Sequence, residues 1–211
     1  MHSVSVDGEE RLRFVATDGH RLAQMEQPLP EGAENMPDVI IPRKTVMELR
    51  KIAEDNDTIM LRVGEKKLQA EAGGIVFTSK LIDGTFPDYN RVIPQNNTKE
   101  MDVSRQALMQ AVDRVSILSH EKSRSIKFGL QENNLLISAN NPDQENALEE
   151  VKVDYNEDEI NIGFNAKYLS EIGSHVNGDD IQFFFKDGTS PVLVKDPADT
   201  SALFVVMPMR I

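Results

Sequence analysis

One plan recurs three times along this chain, and a repeat of that size constrains the fold more than any single motif does. Each copy opens with a short β-like run, passes into an amphipathic helix, and continues through β-like runs joined by tight turns. The first copy runs from Asp38-Val-Ile-Ile, through a helix over 43–54, to the run 75–82. The second starts at Met101-Asp-Val, takes 104–116 as its helix and closes over 147–155. The third starts at Glu159-Ile-Asn-Ile-Gly, takes 165–176 as its helix and continues to the last residue. Repeated strand-helix-strand units predict an α+β fold, a symmetric scaffold whose copies stack or encircle something.

Helix signals agree with that plan. Pro42 precedes the first helix, where proline is well tolerated, and Val46, Leu49 and Ile52 form its apolar stripe at helical spacing. Ser104 is a good cap for the second, with Leu108, Ala111, Val112 and Val115 facing inward. Asn165 caps the third, with Tyr168, Leu169, Ile172 and Val176 inward. Alternation marks strands over 59–63, 67–72, 125–130, 134–139 and 181–185, separated by turns at Gly64-Glu-Lys, Glu132-Asn-Asn and Lys186-Asp-Gly. Residues 82–99 are rich in Pro, Asn, Asp and Gly with little periodicity, and read as a linker. The expected organisation is therefore 1–82, a linker over 83–99, and a complete two-repeat domain over 100–211. The first part holds one full repeat, preceded by strand-like pieces with no helix of their own, so the chain is expected to begin inside a domain.

Composition narrows the function classes. The formal charge of −12 argues against a surface that wraps nucleic acid as a whole, because phosphate contacts need Lys and Arg. Net charge does not exclude a local field, and the helices are less acidic than the rest of the chain: they carry Arg43, Lys44, Arg50, Lys51, Arg105, Arg114 and Lys167. With no cysteine there is no disulfide framework, thiol nucleophile or cysteine metal site, and a reducing cytoplasm is the natural reading. No apolar run is long enough to span a bilayer, and the first residues lack the basic and apolar regions of a signal peptide. No membrane partner, metal or cofactor is expected.

Two clusters invite a functional reading. In Thr17-Asp-Gly-His-Arg-Leu-Ala23, Asp-Gly between alternating runs is a strong hairpin turn signal. Asp18 and His20 also permit a hydrolase reading, with His20 as base and Asp18 as its orienter. That reading lacks a nucleophile, and His2, His120 and His175 show no metal-ligand spacing. The second cluster is the C-terminal run Ala202–Ile211, apolar to its end although chain termini are normally polar and frayed. It is expected to be tied into a sheet beside a groove, where Met207 and Met209 suit a pocket that accepts several partners.

The segments Thr17–Ala23, Phe77–Tyr89, Ser138-Ala-Asn-Asn-Pro142, Ile162-Gly-Phe-Asn165 and Val206-Met-Pro-Met-Arg-Ile211 together closely resemble the bacterial DNA polymerase III β subunit, the sliding clamp family. The resemblance covers essentially the whole chain, and its motifs stand in the family's order. It implies a DNA clamp fold of repeated strand-helix-three-strand units, helices on the inner face and sheets outside. Three two-repeat domains make a subunit, and two subunits form a head-to-tail ring around duplex DNA. By that resemblance the chain is expected to be a carboxy-terminal fragment, lacking the first domain and the first half of the second.

The implied function is a non-enzymatic processivity factor. It tethers DNA polymerases to duplex DNA and is a homodimer when full length. DNA polymerases, the clamp loader and repair proteins engage it through short peptides. The resemblance places the peptide pocket at Thr17, Gly19, His20, Arg21 and Leu22, with Pro87, Arg91 and Val92 from the linker. Asn165 and Tyr168 come from the third helix, and Val205, Val206, Met207, Pro208, Met209 and Arg210 from the C-terminus. It puts Arg43, Lys44, Arg105, Arg114, Lys122, Arg124 and Lys167 toward DNA. Ile117, Leu118, Glu145, Glu149 and Glu150 fall at the ring contact. Ser123 departs from the family pattern, where a larger apolar residue is expected, and Thr189 and Pro191 lie in a variable loop.

Overall fold

A computed structural model describes residues 1–210; Ile211, the end of the apolar C-terminal run, lies outside the described residues. In chain order the elements are β1 (His2–Val6), β2 (Glu9–Thr17), β3 (Arg21–Pro28), α1 (Arg43–Glu54), β4 (Met60–Val63), β5 (Lys67–Ala72) and β6 (Ile75–Lys80). A single turn of 3-10 helix, Tyr89–Arg91, follows. Next come β7 (Lys99–Ser104), α2 (Arg105–Ser116), β8 (Ser125–Gln131), β9 (Asn134–Asn140), β10 (Asn146–Lys152) and β11 (Ile160–Asn165). The chain then forms α3 (Ala166–Gly173), β12 (Asp180–Phe185), β13 (Val192–Asp196) and β14 (Asp199–Val206). Two compact units result: residues 1–15 with 25–88, and residues 16–24 with the chain from Tyr89 onward.

The second unit is built from the two later repeats. One sheet has the order β10-β9-β8-β11; the other runs β7-β12-β13-β14, with the opening residues of β3 beside β14. Neighbouring strands pair antiparallel, with Phe128 opposite Ile137 and Ile162, and Phe183 opposite Val194 and Met101. Alternation does the sorting: Ile126, Phe128 and Leu130 of β8 and Ile181, Phe183 and Phe185 of β12 are buried while their neighbours are not. The phenyl rings of Phe128 and Phe164 meet edge-on at 5.2 Å between centroids, a favoured aromatic arrangement. Over this core lie α2, through Leu108, Ala111, Val112 and Val115, and α3, through Ala166, Leu169 and Ile172. Burying each large apolar side chain stabilises the unit by about 1.5–3 kcal/mol before entropy is counted.

Both helix starts are capped by their own side chains. Ser104 Oγ accepts from the Ala107 amide at 3.4 Å, and Asn165 Oδ1 from the Lys167 amide at 3.0 Å. The third helix stops at Gly173, short of the expected 176, yet Val176 remains buried beyond it. A Cβ at Gly173 would lie 2.2 Å from Met109 Sδ, so glycine there lets α3 approach α2 closely.

The first unit pairs β1 with β2, His2 opposite Arg13, and forms the separate sheet β4-β5-β6. Here the apolar stripe is only partly covered. Thr45 is the buried residue of α1, hydrogen-bonded to Ser79 Oγ at 2.6 Å; Leu49 and Ile52 are half-buried, while Val46 is 50% and Met47 54% exposed. The physical reason is packing: α2 and α3 cover each other's flanks, whereas α1 is the only helix of its unit among the described residues. Met60, Leu61, Ile75 and Val76 of the small sheet are exposed as well. Among the described residues no helix is long and apolar enough to cross a membrane.

Candidate functional site

The Thr17–Arg21 turn is held together by its own polar groups. Thr17 Oγ1 donates to the Arg21 carbonyl at 2.8 Å and accepts from the Gly19 amide at 3.1 Å. Asp18 Oδ1 accepts from the His20 and Arg21 amides at 3.0 and 3.1 Å, and Oδ2 from Arg21 Nε at 3.1 Å. Gly19 has φ +85°, the left-handed conformation that glycine adopts without a steric penalty. Burial raises the Asp18 pKa, but these donors outweigh it and hold the carboxyl below its ordinary value. Both carboxylate oxygens are thus engaged by the turn and by Arg21, a geometry that does not supply the His20 orienter of a hydrolase.

Arg21 and His20 then reach α3. The Arg21 guanidinium carbon lies 4.4 Å from the Tyr168 ring centroid, within cation–π range. The His20 ring stacks beside Tyr168 at 6.4 Å and 24°. Arg21 Nη1 pairs with Glu171 Oε2 at 2.5 Å, and Glu171 Oε1 faces Lys167 Nζ at 3.8 Å. Partial burial works against the guanidinium charge, and the Glu171 and Asp18 carboxylates override it, so its pKa stays above the ordinary value.

The C-terminal run is stitched to both sides of this cluster. The Met207 amide donates to the His20 carbonyl at 2.9 Å, and the Met209 amide to the Gly163 carbonyl at 2.8 Å. Val205 and Val206 are fully buried and Leu22 nearly so, and they back the wall from within. Met207, Pro208 and Met209 are half-buried and Arg210 is exposed. Asn165, which caps α3, also donates Nδ2 to the Ser123 carbonyl at 3.2 Å. The Thr17–Arg21 turn, Tyr168 and the Met207–Met209 strap are therefore joined in the second unit, with Leu22, Val205 and Val206 buried beneath them. Arg91 and Val92 lie in that unit too, in and just after the 3-10 turn, both exposed; Pro87 belongs to the first unit.

The expected DNA-facing residues have varied settings. Arg43 and Lys44 are exposed at the start of α1. Arg105 donates Nε to the Gly178 carbonyl at 2.8 Å. Lys122 and Arg124 are exposed between α2 and β8. Arg114 grips Glu149 with two bonds, 2.7 and 3.2 Å, and so ties α2 to β10. Of the expected ring-contact residues, Ile117 is 75% exposed and Leu118 half-buried, while Glu149 and Glu150 stand on β10, an edge strand. Glu145 accepts from Asn141 Nδ2 at 2.6 Å.

Sequence reasoning passed over two residues that the fold brings forward. Leu148 is 63% exposed on β10, the strand that also carries Glu149 and Glu150. Glu171 completes the charge chain on Arg21; its only signal was an acidic residue three positions after Tyr168 and hence on the same helix face. Among the described residues no group of three or more His, Cys, Asp or Glu side chains is placed to hold a metal ion.

A family model described as the DNA polymerase III beta subunit, central domain, matches residues 3–88, and one for its C-terminal domain matches residues 90–210. The Caulobacter vibrioides beta sliding clamp is 45% identical over 212 aligned residues, covering 100% of this chain and 57% of that protein. The Escherichia coli clamp is 42% identical, covering 97% of this chain and 56% of its own length. The solved beta sliding clamp of C. crescentus superposes with a TM-score of 0.97 at 45% identity, covering 100% of this chain and 57% of the other. That of Bartonella birtlesii, solved bound to griselimycin, gives 0.95 at 42% identity, with 100% and 57% covered. The chain thus spans a little over half the length of these relatives, and their α+β fold is its own.

Proposed function

Because the chain belongs to the DNA polymerase III beta subunit family, the sliding clamps, we propose that it acts in DNA replication as part of a non-enzymatic processivity factor in the cytoplasm. On this reading the face around Tyr168 binds short peptides of DNA polymerases, the clamp loader and repair proteins. The observation that carries the reading is the junction of three segments distant in sequence: the turn over 17–21, the α3 residue Tyr168, and the Met207–Met209 strap hydrogen-bonded to the turn on one side and to β11 on the other. Half-buried methionines and an aromatic ring offer adaptable apolar contact for one or two Leu or Phe anchors, and the polar rim orients a peptide backbone.

Duplex DNA is the second partner we assign. Arg43, Lys44, Arg105, Arg114, Lys122, Arg124 and Lys167 would line the inner surface. A mildly basic bore in an acidic ring suits a slider, since enclosure replaces affinity and tight phosphate contacts would slow it. The ring contact of this part of the molecule is assigned to the end of α2 and the β10 edge, around Ile117, Leu118, Glu145, Glu149 and Glu150. With the domains over 1–82 and 100–211 joined by the linker 83–99, the 211 residues are proposed to carry the peptide-binding face without closing the normal ring by themselves.

Titrating a labelled peptide with paired Leu and Phe anchors into the 211-residue chain tests the reading, with a variant lacking Met207–Ile211 as control. Saturable binding that disappears in the control is expected. Binding that survives loss of the strap, or no binding to the intact chain, would overturn it.

A further inference from the structure

We propose that Glu171 is a positioning residue of this face: with Asp18 it holds the Arg21 guanidinium on the Tyr168 ring, so that the aromatic wall is set before any peptide arrives. This rests on the peptide-binding reading above and names a residue that reading does not contain.

Geometry carries the argument. A guanidinium is a planar fork on a long, flexible stem, and its plane is defined only when more than one edge is engaged. Here Nε meets Asp18 Oδ2 at 3.1 Å and Nη1 meets Glu171 Oε2 at 2.5 Å. The two carboxylates come from opposite sides: Asp18 from the turn before β3, Glu171 from α3, one turn past the tyrosine. Between them the fork lies 4.4 Å from the Tyr168 centroid. His20, stacked on the same ring, is fixed in turn by the Met207 amide on its carbonyl. Lys167 Nζ stands 3.8 Å from the other oxygen of Glu171. Lys167, Glu171, Arg21 and Asp18 therefore form an alternating chain of charges that crosses from helix to turn and sums to zero.

Exposure separates this role from ordinary stabilisation. The side chains of Arg21, Glu171 and Asp18 are 28%, 43% and 46% exposed. Ion pairs this accessible to solvent contribute little to global stability. What they fix is orientation: without Glu171 the fork keeps one anchor, and both Arg21 and Tyr168 regain rotamers that a bound peptide must freeze again. Loss of Glu171 is thus read in binding rather than in melting.

The test uses the 211-residue chain, its Glu171→Gln, Glu171→Asp and Tyr168→Leu variants, and the Glu171→Gln/Tyr168→Leu double variant. Peptide titration is the first readout. Glu171→Gln is expected to weaken binding by about five- to tenfold, mostly through faster dissociation, which is the order for one or two side chains that must be ordered on binding. Glu171→Asp should recover part of that loss. In the Tyr168→Leu background Glu171→Gln should cost less than about twofold, because the ring through which it acts is gone. Losses that simply multiply, or an unchanged affinity for Glu171→Gln, would overturn the proposal. The second readout needs no peptide. The chain has three tyrosines, so 3-fluorotyrosine labelling gives three fluorine signals, and Tyr168→Phe identifies one of them. Glu171→Gln should shift or broaden the Tyr168 signal and leave those of Tyr89 and Tyr155 in place; an unmoved signal refutes the positioning role. If the wild-type chain binds no peptide, the peptide-binding reading fails, and the fluorine signal still decides the role of Glu171.

Discussion

Alkaline titration of Tyr155 offers a direct check on how the second unit is packed. The ring is 1% exposed and its hydroxyl donates to the Asp158 carbonyl at 2.5 Å. Burial, reinforced by the nearby Glu157 and Asp158 charges, pushes the phenol up from 10.0 to about 12. Ionisation is therefore easier in the unfolded chain than in the folded one. A raised folded pKa contributes stability that is fully present below the unfolded value and is lost as pH climbs through the folded one, so the window is roughly pH 10 to 12. Two pKa units correspond to about 2.7 kcal/mol. Urea unfolding across this window should show the wild type losing on the order of 2–3 kcal/mol more than Tyr155→Phe. The comparison also subtracts whatever the two proteins share, including the Lys99–Asp158 pair at 3.0 Å. At neutral pH the phenylalanine variant should be weaker by only about 1 kcal/mol, the net worth of one hydrogen bond. Phenolate absorbance supplies a second reading: the wild type should show a phenol ionising at about pH 12 that is absent from Tyr155→Phe. Equal alkaline slopes for both proteins, or no late-ionising phenol that Tyr155→Phe removes, would refute the burial argument.

Two further substitutions probe local structure. At Gly19, with φ +85° and no atom within 4 Å of an added Cβ, alanine meets strain but no clash; thermal unfolding should show a loss of about 1–2 kcal/mol, and unchanged stability would mean that the turn relaxes. Asp196, 3% exposed, accepts the amides of Asn177, Gly178 and Ala198 at 2.8, 3.2 and 2.8 Å. Alanine there strands three donors and should cost about 3 kcal/mol or more, seen in denaturant unfolding and in faster exchange of those three amides. Burial raises the Asp196 pKa, but the amides prevail and lower it, so its contribution is present above the unfolded carboxylate pKa and is lost as pH falls through the folded one.

How far the fold could be read from sequence depended on range. Caps are local chemistry, so Ser104 and Asn165 were legible, and strand alternation over 125–130 and 181–185 needs only period-two patterning. A stripe is a different kind of signal: it states that a face is apolar, not that anything covers it. Leu108, Ala111, Val112 and Val115 became core because α3 and two sheets lie on them, while Val46 on α1 stayed exposed for want of a facing helix. The end of α3 was missed because close approach to Met109, a contact made across the fold, accompanies the glycine at which it stops.

The same distinction runs through the candidate site. Asp18-Gly19 announced a turn because every bond of that turn lies within five residues, from Thr17 to Arg21. Glu171 announced nothing, since its partner Arg21 stands 150 positions away in the chain. A site assembled in this way takes its shape from local turns and its rigidity from non-local pairs. Substitutions within the turn should therefore register first as lost stability. Substitutions of the pairs should register as lost orientation, with the fold intact and the binding face slackened.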